Sequence, residues 1–419
     1  MDYFDFKACE LYCEDVRVID IANEVGTPFY LYSAATIERH FRAYEEALQD
    51  MDHVVCYAVK ANSNLGLLKI LGDLGAGADI VSGGELYRVH RAGIPPGKVV
   101  YSGVGKTENE IRMALETGIM MFNVESMGEL QKIIEIARAT RKIAPISFRV
   151  NPDVDPRTHP YISTGLEENK FGLPVKEAME AYEFASKTPE VSIMGVSCHI
   201  GSQLTELSPF IDALERVLEL VDILGEKGVD IKYLDMGGGL GIRYDHESPP
   251  LPRDYANAMK EMIRGLPVTL VIEPGRSIVG NAGILVTKVL YRKETPKKAF
   301  LIVDAAMNDL ARPSLYKAHH DIVPVMEKSC KDTSCRTFDI VGPICETGDF
   351  FARSRPMRDI APGELLAIKS AGAYGFTMSS NYNSRPRVAE VMVRGGRFSI
   401  VRQRETYEDL VRGEDFFHA

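Results

Sequence analysis

No stretch of eighteen apolar residues occurs in this 419-residue chain, so no membrane-crossing helix is expected. The opening MDYFDFKACELYCEDV lacks both the basic and the apolar run of an export signal, which leaves the cytoplasm as the expected compartment. Positive charge is also in deficit. With 49 Lys and Arg against 59 Asp and Glu, the net charge is -10 and the pI is near 5.5, which argues against a polyanion-binding surface and a nucleic-acid partner. Paired CxxC motifs are missing. The seven cysteines (9, 13, 56, 198, 330, 335 and 345) are odd in number and scattered, as in a reducing compartment. Cys9/Cys13 and Cys330/Cys335 lack matching histidines, and His319-His320-Asp321 is a weak ligand set, so no metal site is expected.

What is present is an ordinary globular composition, 45% hydrophobic and 26% charged, long enough for one large domain and a smaller one. From about residue 33 to 280, short apolar runs alternate with helical patterns. The strand candidates are 54–59, 78–81, 99–103, 120–124, 146–151, 194–200, 231–236 and 269–273. Helical segments between them include 65–74, 84–92, 108–117, 128–139, 175–187 and 209–226. Thr107-Glu108 supplies a cap with an acidic first turn, and Ser126 with Glu129 has the spacing of a capping box. Eight parallel-type strands with intervening helices predict a closed (β/α)8 TIM-type barrel. A doubly wound sheet is the alternative, but eight strands without a long interruption favour closure. After Asn281 the rhythm changes to strands separated by Gly, Pro and polar turns, predicting a second, mostly β domain, a β-sandwich or barrel. The expected division is a barrel over 33–280 and a β domain built from 281–419 with 1–32, to which TPFYLYS (27–33) contributes. Residues 1–32 otherwise, and the loop 329–336, carry no readable information.

Chemistry is expected at the C-terminal strand ends of such a barrel. In HVVCYAVKANSN (53–64), Lys60 follows an apolar strand. Alone, it reads most simply as a snorkelling lysine; the sharper reading is a half-desolvated amine suited to Schiff-base chemistry. Its company favours the second. Strand two ends in Ser82-Gly83-Gly84-Glu85, strand six in Cys198-His199-Ile200-Gly201-Ser202, strand seven in Gly237-Gly238-Gly239-Leu240-Gly241, and strand eight in Glu273-Pro274-Gly275-Arg276. The GGGLG run lacks the GxGxxG spacing of a dinucleotide site, but its backbone amides suit a phosphate. A phosphate site opposite a lysine, with a histidine and a carboxylate nearby, points to pyridoxal 5'-phosphate.

YAVKAN (57–62), SCHIGSQ (197–203), LDMGGGLG (234–241) and EPGR (273–276) resemble the alanine-racemase-fold, pyridoxal-phosphate-dependent decarboxylases. ARPSLY (311–316), ICETGD (344–349) and GAYGFTMSSNYNSRP (372–386) narrow the resemblance to the diaminopimelate decarboxylase family, in order and over nearly the whole chain. The resemblance implies that Lys60 is the internal-aldimine lysine and that His199 stacks on the cofactor ring. It implies that Ser202, Gly237, Gly238, Gly239 and the backbone of Glu273, Pro274, Gly275 and Arg276 hold phosphate, and that Glu273 pairs with the pyridine nitrogen. A carboxylate there keeps the ring a deep electron sink and favours decarboxylation over racemisation. Cys345 matches the proton donor that reaches a neighbouring subunit's site. Tyr374 matches a tyrosine touching phosphate or substrate, and Arg276, Arg312, Tyr316 and Glu346 match substrate ligands. Arginine suits the distal carboxylate of meso-2,6-diaminopimelate.

The function so implied is decarboxylation of meso-2,6-diaminopimelate to L-lysine and CO2, the last step of lysine biosynthesis, by a homodimer with active sites shared across its interface. Two alternatives stay open: a decarboxylase of other basic amino acids or carboxynorspermidine, and a non-catalytic pyridoxal-phosphate carrier. The β domain and Cys345 count against the carrier, which needs no proton donor.

Overall fold

The structure is a computed structural model and describes residues 2–154, 170–327 and 335–417. Cys330 and most of the loop 329–336 lie outside the described residues. Two compact units are present. One comprises Glu38–Arg243 with Glu247–Ile278, the other Met1–Ile37, Tyr244–His246 and Val279–Ala419.

The first unit is a closed barrel. Its strands are β1 (His53–Ala58), β2 (Gly77–Ile80), β3 (Val99–Tyr101), β4 (Met121–Val124), β5 (Ala144–Asn151), β6 (Val191–Ser197), β7 (Tyr233–Asp235) and β8 (Thr269–Ile272). Each pairs in parallel with the next, and β8 pairs with β1 through Leu270↔His53, Val271↔Val54 and Ile272↔Val55. Between them run α1 (Leu65–Asp73), α2 (Gly83–Ala92), α3 (Glu108–Thr117), α4 (Met127–Thr140), α5 (Val175–Ser186), α6 (Ser208–Glu226) and α7 (Pro252–Ile263). Helices α1 to α6 follow the sequence expectation to within a residue or two. Helix α7 and the helix Ala34–Leu48 were not among the expected segments, although the latter buries Ala34, Ile37, Phe41, Tyr44 and Leu48 at helical spacing.

Two caps show how local chemistry starts these helices. Thr107 and Glu110 form a reciprocal capping box on α3. Ser126 Oγ accepts from Glu129 N on α4, but the Glu129 carboxylate accepts from Glu125 N and Lys106 Nζ instead of closing the expected box. The Lys106–Glu129 pair is almost wholly buried, and that charge pairing outcompetes one exposed amide for the carboxylate.

Strand alternation divides the barrel interior into layers. Cys56, Val100, Met121 and Val271 cluster although they sit on β1, β3, β4 and β8, so they meet inside the barrel. Two residues further along these strands, on the same face, come Ala58, Ser102, Asn123 and Glu273. The Asn123–Asp235 hydrogen bond, from β4 across to β7, marks this second layer as interior too. Thus an apolar layer underlies a polar one near the C-terminal strand ends.

The second unit is mostly β. Its main sheet runs in the order Phe350–Arg358, Cys335–Val341, Ala299–Val303, Gly283–Glu294, Phe29–Ser33, Ala389–Arg394, Arg397–Arg402, and Leu365–Ile368 also pairs with Gly283–Glu294. Phe29–Ser33 lies between Gly283–Val286 (antiparallel) and Ala389–Val393 (parallel), so TPFYLYS belongs to this unit. A small antiparallel sheet of Phe4–Lys7, Glu10–Cys13 and Val16–Arg17 packs through Phe4, Leu11, Cys13 and Val16 into the core formed with Ile284, Val286 and Val391. Among the described residues no helix is long and apolar enough to cross a membrane.

Candidate active site

A cleft of about 420 Å3 opens at the C-terminal strand ends of the barrel, lined by Lys60, Asn123, Arg149, Ser197, His199, Asp235 and Glu273 among others. That is room for a small cofactor. Lys60 sits on a single 3-10 turn, Val59–Ala61, directly after β1. Tyr57 Oη donates to Asn62 O, and Asn62 Oδ1 accepts from Asn64 N, which fixes the chain leaving the turn. Lys60 Nζ meets Asp79 Oδ2 at 2.5 Å, and Asp79 is fully buried at the end of β2. The amine therefore faces a buried carboxylate.

His199 is held by its neighbours in one protonation state. Its Nδ1 accepts from Gly238 N at 3.2 Å, which leaves the ring proton on Nε2. Burial pushes its pKa well below the usual range, and the nearby cations Arg149 and Lys60 push it further, so the imidazole is neutral. Arg149 is itself positioned by Glu125 Oε1 (3.2 Å), by His199 O (3.3 Å) and by the Phe171 ring.

The glycine run after β7 wraps closely over its surroundings. A Cβ on Gly238 would stand 2.2 Å from Glu273 O, and one on Gly239, with φ +118°, 2.5 Å from Gly201 O. Only glycine fits this backbone. Glu273 N donates to Gly237 O at 2.7 Å, joining this loop to the end of β8. Pro274 O accepts from Ala58 N, and Gly275 packs against Ala58 and Ala61, so EPGR is seated beside the Lys60 turn. Arg276 Nη2 donates to Ser202 Oγ at 3.1 Å.

Burial raises the Glu273 carboxyl pKa strongly, and the carboxylates of Asp235 and Asp79 add to the effect. Asp235 is pushed up to about 6 by burial, moderated by its hydrogen bonds from Asn123 and Gly237. Glu273 Oε1, Asp79 Oδ1 and Ser197 Oγ are buried without a partner among the described residues. Orphaned polar atoms on a cleft floor call for a ligand that supplies the missing hydrogen bonds. A ring nitrogen for Glu273, an aldehyde for Lys60 and a phosphate for the glycine backbone meet that description, so these residues fit pyridoxal phosphate.

Sequence reading missed Asp79, Asn123, Arg149 and Asp235. Asp79, Asn123 and Asp235 are each a polar residue in a short, otherwise apolar strand, and that interruption was the available signal; Arg149 shares its strand with Ser147 and Asn151.

The other expected site residues lie in the β unit. Arg312 begins the short helix Arg312–Tyr316 and is 6% exposed. Its Nη1 donates to His320 Nε2 at 2.9 Å, while His320 Nδ1 donates to Lys369 O at 2.8 Å, and the guanidinium stacks on Tyr244. His320 thus acts here as an orienting acceptor, and among the described residues no cluster of three His, Cys, Asp or Glu could hold a metal. Tyr316, at the end of that helix, is half-buried. Cys345 and Glu346 are exposed on a turn: Cys345 N donates to Asn383 Oδ1 (3.0 Å), and Tyr382 Oη donates to Glu346 Oε1 (2.5 Å). Buried Asp349 braces that turn, accepting from Ile344 N and Met307 N. Tyr374 takes a left-handed φ of 54°, a conformation rare for a tyrosine.

The family described as "Pyridoxal-dependent decarboxylase, pyridoxal binding domain" matches residues 34–280. Diaminopimelate decarboxylase of Pseudomonas aeruginosa is 56% identical over 99% of this chain and 99% of its own length. The crystal structure of diaminopimelate decarboxylase from Helicobacter pylori complexed with L-lysine is 44% identical, covers 94% of this chain and 98% of that one, and superposes with a TM-score of 0.90. That from M. jannaschii in co-complex with L-lysine is 40% identical over 99% and 98% of the two chains, with a TM-score of 0.93. With the family match spanning the barrel and the relatives spanning both units, this chain belongs to the diaminopimelate decarboxylase family of pyridoxal-phosphate-dependent enzymes.

Proposed function

We propose that this chain decarboxylates meso-2,6-diaminopimelate to L-lysine and CO2, as the last step of lysine biosynthesis, in a cytoplasmic homodimer. The observation that carries the reading is the convergence of Lys60, His199 and Glu273 on one cleft, in a chain that resembles enzymes of that name along its whole length. When bound, pyridoxal phosphate supplies an electron sink for the pair left on the α-carbon as CO2 departs.

The chain's own residues have separate tasks in this reading. Lys60 would hold the cofactor aldehyde through its amine. Ser202, Gly237, Gly238, Gly239, Pro274, Gly275 and Arg276 would hold the phosphate, and the neutral His199 ring would pack on the cofactor without adding charge. Glu273 holds a proton at the ring nitrogen. Arg312, Tyr316 and Glu346, with Arg276 and Tyr374, bind the substrate, Arg312 gripping a carboxylate with the guanidinium that His320 orients. Cys345 passes its Sγ proton to the α-carbon in the partner subunit's site, a role that its exposure supports. The 33–280 segment binds the cofactor, and 1–32 with 281–419 contributes the substrate-binding and proton-donating groups.

The deciding assay measures CO2 release from meso-diaminopimelate, lysine, ornithine and arginine in parallel. Turnover of the first alone is expected. Equal turnover of ornithine would move the chain to the decarboxylases of basic amino acids, and cofactor binding without any turnover would make it a carrier.

A further inference from the structure

The polar layer of the barrel contains two buried acids whose surroundings differ. Asp235, 1% exposed, accepts on both oxygens: Gly237 N donates to Oδ1 at 3.0 Å and Asn123 Nδ2 donates to Oδ2 at 2.8 Å. The orientation of Asn123 is itself held by Ser147 Oγ, which donates to its Oδ1 at 2.5 Å and so leaves the amide N–H groups for Asp235 and Ser102. An oxygen pair facing N–H donors is the environment of a carboxylate anion. Glu273, 6% exposed, has no such donors: Oε1 has no partner among the described residues, and its side chain lies beside Asp235, the two acids being linked through Gly237, whose O accepts from Glu273 N and whose N donates to Asp235 Oδ1. Two carboxyl groups buried side by side do not both ionise, so the pair keeps one proton. Since both Asp235 oxygens already accept N–H, that proton resides on Glu273.

We propose that Asp235 and Glu273 form an acid pair holding a single proton, with Asp235 the fixed anion and Glu273 the proton carrier. Asp235 is thereby a positioning residue that keeps Glu273 a proton donor toward the cofactor's ring nitrogen. The inference rests on the reading that Glu273 meets that nitrogen. When the ring binds, the proton leaves the Glu273 carboxyl, whether to an unprotonated ring nitrogen or, if the nitrogen arrives protonated, to solvent. Glu273 becomes a carboxylate either way, and the charge on Asp235 is unchanged. Lys60 sits on Asp79, so Asp79 already has its counter-charge and takes no part in the sharing.

Infrared difference spectroscopy of the full-length protein, with and without pyridoxal phosphate, tests the pair independently of activity. Cofactor-free wild type at neutral pH is expected to show the C=O stretch of a buried protonated carboxyl. Glu273→Gln is expected to lack it, and in Asp235→Asn the pH midpoint for its appearance is expected to fall by about one to two pH units once the neighbouring anion is gone. If Asp235→Asn does not fold, wild type and Glu273→Gln decide alone. No protonated band in cofactor-free wild type, or a band that survives in Glu273→Gln, would overturn the proposal. A band assigned to Glu273 that persists after stoichiometric cofactor binding would instead refute the reading that Glu273 faces the ring nitrogen, leaving the shared proton intact.

Discussion

The floor of the barrel and the Cys345 turn of the β unit are both made of polar groups, yet they are held in different ways. On the barrel floor, functional side chains project from strand ends whose positions are set by continuous parallel pairing around eight strands; Asp79, Asn123, Asp235 and Glu273 are buried, and Lys60 and His199 are half-buried. In the β unit, Cys345 and Glu346 are exposed on a turn pinned by Asn383, Tyr382 and Asp349, side chain by side chain. Arg312 lies between these extremes, buried yet oriented by one histidine and one aromatic ring. The barrel presents a preorganised, low-dielectric site in which Lys60 faces Asp79, Arg149 faces Glu125 and Asp235 accepts from Asn123 and Gly237. The β unit presents groups suited to meeting a substrate.

The sharpest way to break this comparison is Lys60→Ala. It removes the only nucleophilic amine lining the described cleft. Turnover is expected to fall by about a thousandfold or more, together with the borohydride-reducible cofactor absorbance. Reduction that labelled another lysine would contradict the assignment of the barrel floor as the reactive centre. Arg312→Ala should act through the β unit alone. A lost charge-assisted contact to a buried carboxylate costs about 2–5 kcal/mol, to be read as a fall in kcat/KM for diaminopimelate at unchanged cofactor affinity. Equal losses of cofactor binding and turnover would mean that the two regions are not functionally separate.

The smallest expected effect joins them. If Cys345 serves the partner subunit's cleft, Lys60→Ala and Cys345→Ala homodimers are each nearly inactive, but a mixed dimer contains one intact site. Equal mixing with random exchange makes about half the dimers mixed, so roughly a quarter of wild-type activity should return. No recovery despite demonstrated subunit exchange would assign both residues to one subunit.

The strand ends were legible because the residues there break an apolar pattern at a conspicuous place. Lys60 closes HVVCYAV, and GGGLG and EPGR close two further runs, so period and punctuation together pointed to a barrel rim. Asp79, Asn123 and Asp235 were not legible as site residues. They lie within strands read as buried hydrophobic runs, and a single polar residue in a short apolar stretch does not say which face it takes. Ser126 and Glu129 teach the same lesson locally: the spacing was right, but a buried lysine distant in sequence took the carboxylate. His320 was considered only as a metal ligand, since nothing in the sequence pairs it with Arg312 or Tyr244.

By itself the sequence determined the eight barrel strands and most of the helices between them, their order, the change of rhythm after Asn281 and, through its motifs, the family. Those depend on local periodicity and on short runs of residues, which are properties of neighbours along the chain. Only the tertiary structure decided the register in which β8 meets β1, that Asn123 reaches Asp235 across the barrel, and that Asp79 meets Lys60. Those contacts join residues far apart in the chain, and in a low-dielectric interior the partner a buried charge finds decides its state.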